Sequence, residues 1–267
     1  MNSLLLLNGS PRGERSNSMK MLARVTEGWQ RGGGSPPEIL HLARRAQFQR
    51  AVEAFATADT VLLGTPLYTD AMPALVKAYI EALAPRVAVQ RNPSRCTQVH
   101  APQVAFSSRK SHLAPLPNGH CCSGSALARA GGTNPSLAFL VQSGFPEASH
   151  SRPLERYFKK LALRLGSPYT GTIVHGGGEA LQAMPDAANK KLWARLRVLG
   201  EQLARDGHFG VAELKAVAGV ERFSRFAVAV FSLACKIPAS QFYWNGMLKK
   251  NGAWERRFAA PYGPAFR

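Results

Sequence analysis

The chain is poor in acidic residues and in cysteine, and it lacks a long apolar run. Four cysteines are too few to hold together a scaffold of 267 residues by disulfide bonds. The opening apolar run, 4–7, is shorter than a secretory signal and has no basic residues before it. The longest later run, 226–235, is well short of a membrane span. These absences predict a soluble, cytoplasmic protein.

Acidic residues are scarce in two segments above all. The whole chain has 34 Lys+Arg against 16 Asp+Glu, a net charge of +18, which is typical of proteins that bind nucleic acid or anionic membranes. Residues 86–133 contain six basic side chains and no acidic one, and residues 219–267 contain eight against two. Twelve of the eighteen charges therefore lie in these two segments. The net charge of the rest of the chain is close to that of an ordinary protein. Nucleic acid is therefore not the favoured partner.

Five short apolar runs alternate with stretches of helical periodicity. Strands are predicted at 3–7, 38–42, 60–64, 136–142 and 169–174, and helices at 16–29, 48–56, 72–83, 154–165 and 190–203. Runs that are apolar throughout indicate strands buried on both faces. The alternation predicts an α/β fold, with a parallel five-stranded sheet covered by helices on both faces.

The loop after the first strand has the composition of an anion site. In an open α/β sheet, ligands bind beyond the carboxyl ends of the strands. This loop, 8–18, joins a strand to a helix amino terminus and contains serines, asparagines, Arg12 and Arg15, which together suit a phosphate. The chain lacks GxxxxGK[ST] and GxGxxG, which disfavours nucleotide hydrolysis and dinucleotide binding. A capped turn with solvated arginines remains an alternative.

Two further loops at the same edge bear aromatic residues. The loop 64–73 contains two prolines and Tyr68, and the loop 143–147 contains a glycine and Phe145. Prolines stiffen a loop, and glycine lets a ligand approach the backbone. Together with the first loop, they predict a site for a flat heteroaromatic ring with a phosphate tail.

These three loops resemble those of the flavodoxin-like NAD(P)H-dependent FMN reductases. Leu5-Leu-Leu-Asn-Gly-Ser-Pro-Arg with Ser16-Asn-Ser resembles the phosphate loop, and Thr65-Pro-Leu-Tyr with Pro73 and Lys77 resembles the isoalloxazine loop. Gln142-Ser-Gly-Phe-Pro-Glu resembles the loop after the fourth strand. The resemblance covers 1–85 and about 135–205. It implies a flavodoxin-like fold, bound FMN, NAD(P)H as co-substrate, a small-molecule electron acceptor (a quinone, a nitro compound or a flavin) and a homodimer.

The resemblance assigns cofactor-binding residues but no catalytic residue. Those matched to the phosphate are Ser10, Arg12, Ser16, Asn17 and Ser18, those matched to the ring are Pro66, Leu67 and Tyr68, and those of the opposite loop are Ser143, Gly144 and Phe145. Hydride passes from nicotinamide to flavin, so the cofactor supplies the chemistry. Tyr68 either polarises a flavin carbonyl, stacks on a substrate or simply packs. Two other functions remain open: a flavin-binding electron carrier or redox sensor, and a cofactor-less protein that binds anions or nucleic acid.

Two segments depart from the family's pattern. Residues 86–133 are predicted to be an irregular basic insertion within a flavin-binding domain of 1–218. Their Cys96, His100, His112 and His120-Cys-Cys match no zinc spacing, so no metal is expected. Residues 219–267 are predicted to form a helix and tail that cover the flavin or a partner subunit, insert at a membrane surface, or pack on the domain. Packing is favoured, because apolar stripes usually face a core.

Overall fold

The computed structural model describes residues 3–91, 134–236 and 241–259. Its strands are Leu4–Asn8 (β1), Glu38–His41 (β2), Thr60–Pro66 (β3), Ser136–Gln142 (β4) and Tyr169–His175 (β5). Its helices are Asn17–Arg31 (α1), Arg45–Ala54 (α2), Ala74–Arg91 (α3), Arg152–Leu165 (α4), Ala180–Ala183 (α5), Lys190–Asp206 (α6), Val211–Ala218 (α7), Arg225–Ala234 (α8) and Phe242–Lys250 (α9). The chain divides into two compact units, Met1–Val220 and Glu221–Arg267. The sheet belongs to the first unit, and α8 and α9 to the second.

The five strands form one parallel sheet in the order β2-β1-β3-β4-β5. This is the strand order of the flavodoxin-like fold, so the predicted fold class is confirmed. The order changes direction at β1, which lies between β2 and β3. The loops that follow β1 and β3 therefore meet at the point where such sheets bind ligands.

Alternate residues of each strand face opposite sides of the sheet. Leu5 and Leu7 of β1 pack into the core formed with α2, α3 and α4, whereas Leu4 and Leu6 pack into the core formed with α1 and α6. All four leucines are buried. A buried leucine stabilises the fold by about 1.5–3 kcal/mol. Burial on both faces explains why the first four positions of β1 are all leucine, and its last residue, Asn8, lies at the ligand edge.

Glycines allow α1 and α6 to pack in backbone contact. A Cβ built on Gly28 would lie 1.9 Å from the carbonyl oxygen of Arg197, and one on Gly200 would lie 2.0 Å from that of Val25. Any larger side chain at either position would separate the helices. The contact holds α1 close to the sheet, and α1 presents its amino terminus to the ligand edge.

Several element boundaries differ from the prediction. Helix α3 runs to Arg91, so residues 86–91, predicted to begin the irregular insertion, are helical. Strand β3 continues through Pro66, which the prediction had placed in the following loop. Proline is tolerated there because the pairing of β3 with β1 ends at Gly64, and only β4 pairs with β3 beyond that point. Helices α5, α7 and α9 were not predicted. The remainder of the insertion, 92–133, lies outside the described residues.

Within the described ranges, no helix is long and apolar enough to cross a membrane. The same ranges hold no group of three or more His, Cys, Asp or Glu residues arranged for a metal ion. The cysteines and histidines between 96 and 122 fall outside these ranges.

Candidate functional site

The buried side chain of Asn8 organises the loop after β1. Its Oδ1 accepts a hydrogen bond from the backbone N–H of Ser10 at 3.1 Å, and its Nδ2 donates to the carbonyl oxygen of Gly13 at 2.8 Å. The next residue, Gly9, lies so close to α3 that a Cβ there would be 2.4 Å from Cγ2 of Val76. The loop is thus held in one shape before any ligand binds.

This loop leads directly into the amino terminus of α1. Ser16 caps the helix, and its Oγ accepts a hydrogen bond from the N–H of Met19 at 3.1 Å. Asn17 and Ser18 are buried in the first turn, and Asn17 Nδ2 donates to the carbonyl oxygen of Gly178 at 2.7 Å. The first N–H groups of a helix have no acceptor within the helix. A cluster of buried hydrogen-bonding groups therefore surrounds this terminus.

Two buried atoms of this turn have no hydrogen-bond partner among the described residues. They are the Oγ of Ser18 and the Oδ1 of Asn17. A buried polar atom without a partner costs about 1–3 kcal/mol, and native proteins rarely leave one unsatisfied. The hydroxyl can donate to a ligand, and the amide oxygen can only accept from one. The turn is therefore suited to a ligand that has both an anionic oxygen and a hydroxyl group.

Charged residues of both signs flank the loop. Arg12 approaches Glu179 of the loop after β5 with 3.9 Å between Nη1 and Oε1, and both side chains are about half exposed. Glu14 is held by Arg44 at 2.7 Å. Because the carboxylate of Glu14 is paired, it repels an anion at the helix terminus less than an unpaired carboxylate would.

His41 supports the loop from the end of β2. Its buried ring places Nδ1 3.1 Å from Nδ2 of Asn8, and since that amide nitrogen donates, Nδ1 accepts and the ring proton lies on Nε2. Nε2 is 3.8 Å from Oε1 of Glu14. Burial lowers the pKa of His41 below its usual range, Glu14 partly offsets this, and Arg44 lowers it further. The fold therefore favours a neutral His41.

This preference predicts a loss of stability in mild acid. The pKa of His41 is lower in the folded protein than in the unfolded chain, so the stabilisation of the fold that this residue provides is complete above its ordinary pKa of 6.5. This stabilisation is lost as the pH falls towards the pKa of the folded protein. Urea unfolding across this range should show a smaller acid loss for His41→Asn, which keeps an acceptor near the Nδ1 position without a titrating ring. The pKa of His175 is also lowered by burial, and its effect remains in both proteins as an internal control. An equal acid loss in the two proteins would contradict the assignment.

The loop after β3 holds Tyr68 in a tight turn. The N–H of Tyr68 donates to the carbonyl oxygen of Ala71 at 2.9 Å, and the N–H of Ala71 donates back at 3.1 Å. Between them Thr69 has φ +54°, the sole non-glycine residue in the described ranges with a positive φ. Such backbone strain of about 1–3 kcal/mol is concentrated at functional turns. The turn leaves the side chain of Tyr68 46% exposed.

The loop after β4 holds Phe145 in a similar exposed position. The Oγ of Ser143 donates to the carbonyl oxygen of Phe145 at 3.0 Å, and the N–H of Gly177 donates to the same oxygen at 2.7 Å. The side chain of Phe145 is 54% exposed, with its ring 4.7 Å from that of His150. Two exposed aromatic rings thus follow the neighbouring strands β3 and β4.

Backbone hydrogen bonds join these loops side by side. The N–H of Leu67 donates to Gln142 O at 2.7 Å, and the N–H of Ser143 donates to His175 O at 3.0 Å. The N–H of Gly178 donates to Ser143 O at 2.7 Å, and Gly178 in turn accepts from Asn17. The loops after β1, β3, β4 and β5 therefore form one connected edge.

The structure places the sequence-predicted residues in three groups. Ser10, Ser16, Asn17 and Ser18 are buried around the start of α1, with Arg12 beside them. Pro66 and Leu67 are buried, and Ser143 is buried in the next loop. Tyr68, Gly144 and Phe145 are exposed.

Sequence reasoning missed Asn8, His41 and Gly178 as site residues. Asn8 lies within the recognised phosphate-loop motif, but its hydrogen bonds to Ser10 and Gly13 form only in the folded loop. His41 and Gly178 come from distant parts of the chain. Only the position of His41 near the end of a predicted strand and of Gly178 after one could have indicated them.

Comparison with known proteins agrees with this architecture. Residues 2–95 match a family model described as a flavodoxin-like fold, which confirms the resemblance over this part of the chain. No curated protein matches the chain significantly.

Similar solved structures include an NADH:FMN oxidoreductase in its apo form, with 14% identity, a TM-score of 0.48 and coverage of 84% of this chain and 97% of that one. An FMN-dependent NADH-azoreductase from Bacillus anthracis, in complex with FMN, has 14% identity, a TM-score of 0.46 and coverage of 76% and 100%. Rubredoxin oxygen:oxidoreductase from Desulfovibrio gigas has 11% identity and a TM-score of 0.46, over 81% of this chain and 37% of that one.

Proposed function

We propose that the chain binds FMN at the carboxyl edge of its sheet and uses it as an NAD(P)H-dependent oxidoreductase. The observation that carries this proposal is the pair of buried, unpartnered atoms in the first turn of α1, Ser18 Oγ and Asn17 Oδ1. FMN supplies both partners that these atoms lack: a phosphate oxygen for the hydroxyl and a ribityl hydroxyl for the amide oxygen. The residues present therefore fit the cofactor.

The remaining contacts follow from the positions of the loops. Ser10 and Ser16 lie beside the helix terminus with Arg12, where the positive end of α1 and the guanidinium favour a phosphate. Tyr68 and Phe145 offer exposed aromatic surfaces for a ring, and the buried Pro66 and Leu67 offer backbone groups. The loop after β4 adds Gly144, which leaves room for close approach.

The chain itself needs no acid or nucleophile for this reaction. Bound there, FMN would supply the redox chemistry of hydride transfer from the nicotinamide and electron transfer to an acceptor, for which we propose a quinone, a nitro compound or a flavin. The residues of the edge bind the phosphate, orient the ring and shield one side of it from water. We further propose a homodimer, in keeping with the resemblance to FMN reductases.

The experiment begins with the visible spectrum of the purified protein after incubation with FMN and desalting. We expect bound flavin, with tighter binding of FMN than of riboflavin, which lacks the phosphate. Anaerobic addition of NADH or NADPH should then bleach the flavin. Bound flavin that neither nicotinamide bleaches would favour an electron carrier, and failure to bind FMN would refute the proposal.

A further inference from the structure

Helix α8 exposes its large apolar side chains. Phe226, Val228, Val230, Phe231 and Leu233 are 49–78% exposed. At about 100° per residue their positions span roughly 220° of the helix, and the remaining arc holds Arg225 and Ser232. The sequence analysis favours packing of this helix on the domain, whereas its exposed side chains favour an external partner. Each Å² of this apolar surface that a partner removes from water would favour binding by about 25 cal/mol.

Helix α9 and the residues after it add exposed aromatic side chains to the same compact unit. Phe242, Trp244 and Phe258 are mostly exposed, and Met247 is partly so. Two cations lie over the ring of Trp254: the guanidinium of Arg257 is 3.9 Å from its centroid and the Nζ of Lys249 is 5.0 Å from it. Large aromatic residues next to cations are typical of segments that lie at the boundary between water and lipid.

The charge of this unit favours an anionic partner. Residues 221–267 hold eight basic and two acidic side chains, and Arg225, Lys236, Lys250 and Arg256 are exposed among the apolar ones. A second copy of the chain would bring another segment of the same charge against it, and like charges at an interface are unfavourable. A nucleic acid would match the charge, but it is bound through basic and aromatic side chains and would not account for the exposed Val228 and Leu233. An anionic lipid surface matches both the charge and the apolar residues.

The length of α8 decides how the unit would meet such a surface. Ten residues of helix extend about 15 Å, half of the roughly 30 Å hydrocarbon core of a bilayer. The helix is therefore suited to lie along the interface with its apolar side chains in the acyl region, while the basic side chains remain among the headgroups.

From these observations we infer that the unit formed by residues 221–267 docks the protein on anionic membranes as a peripheral anchor. The bound surface is a lipid bilayer with acidic headgroups. This docking does not depend on the flavin site, so it stands or falls separately from the proposed function.

Flotation of the full-length protein with vesicles tests the inference. We expect binding to mixed phosphatidylcholine–phosphatidylglycerol vesicles, much weaker binding to pure phosphatidylcholine, and release at high salt. The double variant F226S/F231S should bind on the order of tenfold more weakly, because it loses two side chains that would enter the acyl region. The double variant K250E/R256E should lose on the order of tenfold or more, because each basic residue contributes to attraction near the surface.

Matched changes in the first unit separate an anchor from the effect of overall charge. K159E/K160E changes the net charge by the same amount on the exposed face of α4, and Leu163→Ser removes an exposed apolar side chain there. Both controls should leave vesicle binding nearly unchanged, and unaltered thermal unfolding should show that all variants fold. Equal losses in the control variants would overturn the inference.

Two other results would also overturn it. One is dissociation of a dimer by F226S/F231S with no binding to either vesicle, which would assign the surface to a second copy. The other is retention on nucleic acid without binding to vesicles.

Discussion

Replacing Gly200 by alanine is expected to destabilise the first unit by about 3 kcal/mol and to lower its melting temperature by about 6–12 °C. The added Cβ would lie 2.0 Å from the carbonyl oxygen of Val25 and 2.7 Å from the backbone nitrogen of Trp29. Backbone atoms cannot rotate away as a side chain can, so α1 and α6 must separate. The separation loosens the buried residues behind them, among them Trp29 and Leu199.

Gly28→Ala should have a similar effect, since its Cβ would meet Arg197 across the same contact. The double variant should lose less than the sum of the two, because the first change already moves the helices apart. Gly246→Ala is the matched control: this glycine also lies in a helix, but a Cβ there has nothing within 4 Å. It should be neutral or slightly stabilising, since alanine favours helix more than glycine does. A Gly200→Ala protein that unfolds like the wild type in urea would show that the helices do not pack in backbone contact.

Ser18→Ala is expected to weaken FMN binding by roughly tenfold to a hundredfold without destabilising the FMN-free protein. The Oγ of Ser18 is buried and has no partner in the described ranges, so its removal relieves an unsatisfied group when the cofactor is absent. In the complex, the same hydroxyl would donate to a charged phosphate, a hydrogen bond worth about 1.5–3 kcal/mol. Fluorescence titration with FMN and urea unfolding of the FMN-free protein measure the two effects separately.

Ser167→Ala is the matched control for this change. The Oγ of Ser167 is likewise buried without a partner in the described ranges, but the residue precedes β5 at the opposite edge of the sheet. It should leave FMN affinity unchanged. Ser16→Ala should behave differently from both, because it removes a helix cap and so lowers stability by about 1 kcal/mol as well as affinity. Full FMN affinity in Ser18→Ala would refute the placement of the phosphate at this turn.

The sheet could be predicted from the sequence because its strands are buried on both faces. The leucine run of β1, 4–7, contains no polar residue, and Asn8 and Gly9 mark its end. Helix α3 was predicted too short, since the apolar period ends near residue 85 whereas the helix continues to Arg91. Once a helix is nucleated, each further residue adds a hydrogen bond without needing an apolar stripe. The short helices α5 and α7 contain too few turns to show a period.

The candidate site could be predicted only as far as contiguous motifs reach. Ser10 through Ser18 stand together in the chain, so their gathering at one helix terminus could be foreseen. The bond from Asn17 to Gly178 joins residues 161 positions apart, and no local pattern encodes it. The support of Asn8 by His41 depends on the alignment of β1 with β2, where Asn8 stands opposite His41. The apolar pattern of α8 indicates that the helix will be covered but not what will cover it, so the sequence leaves several partners open.

The bonds that join the loops along the carboxyl edge have a thermodynamic consequence. Leu67, Ser143 and Gly178 each donate to the neighbouring strand or loop, and Asn17 closes the row at α1. The loops are thus already joined to one another before a ligand binds. A ligand at this edge would therefore lose less conformational entropy on binding than it would at loops that it has first to order.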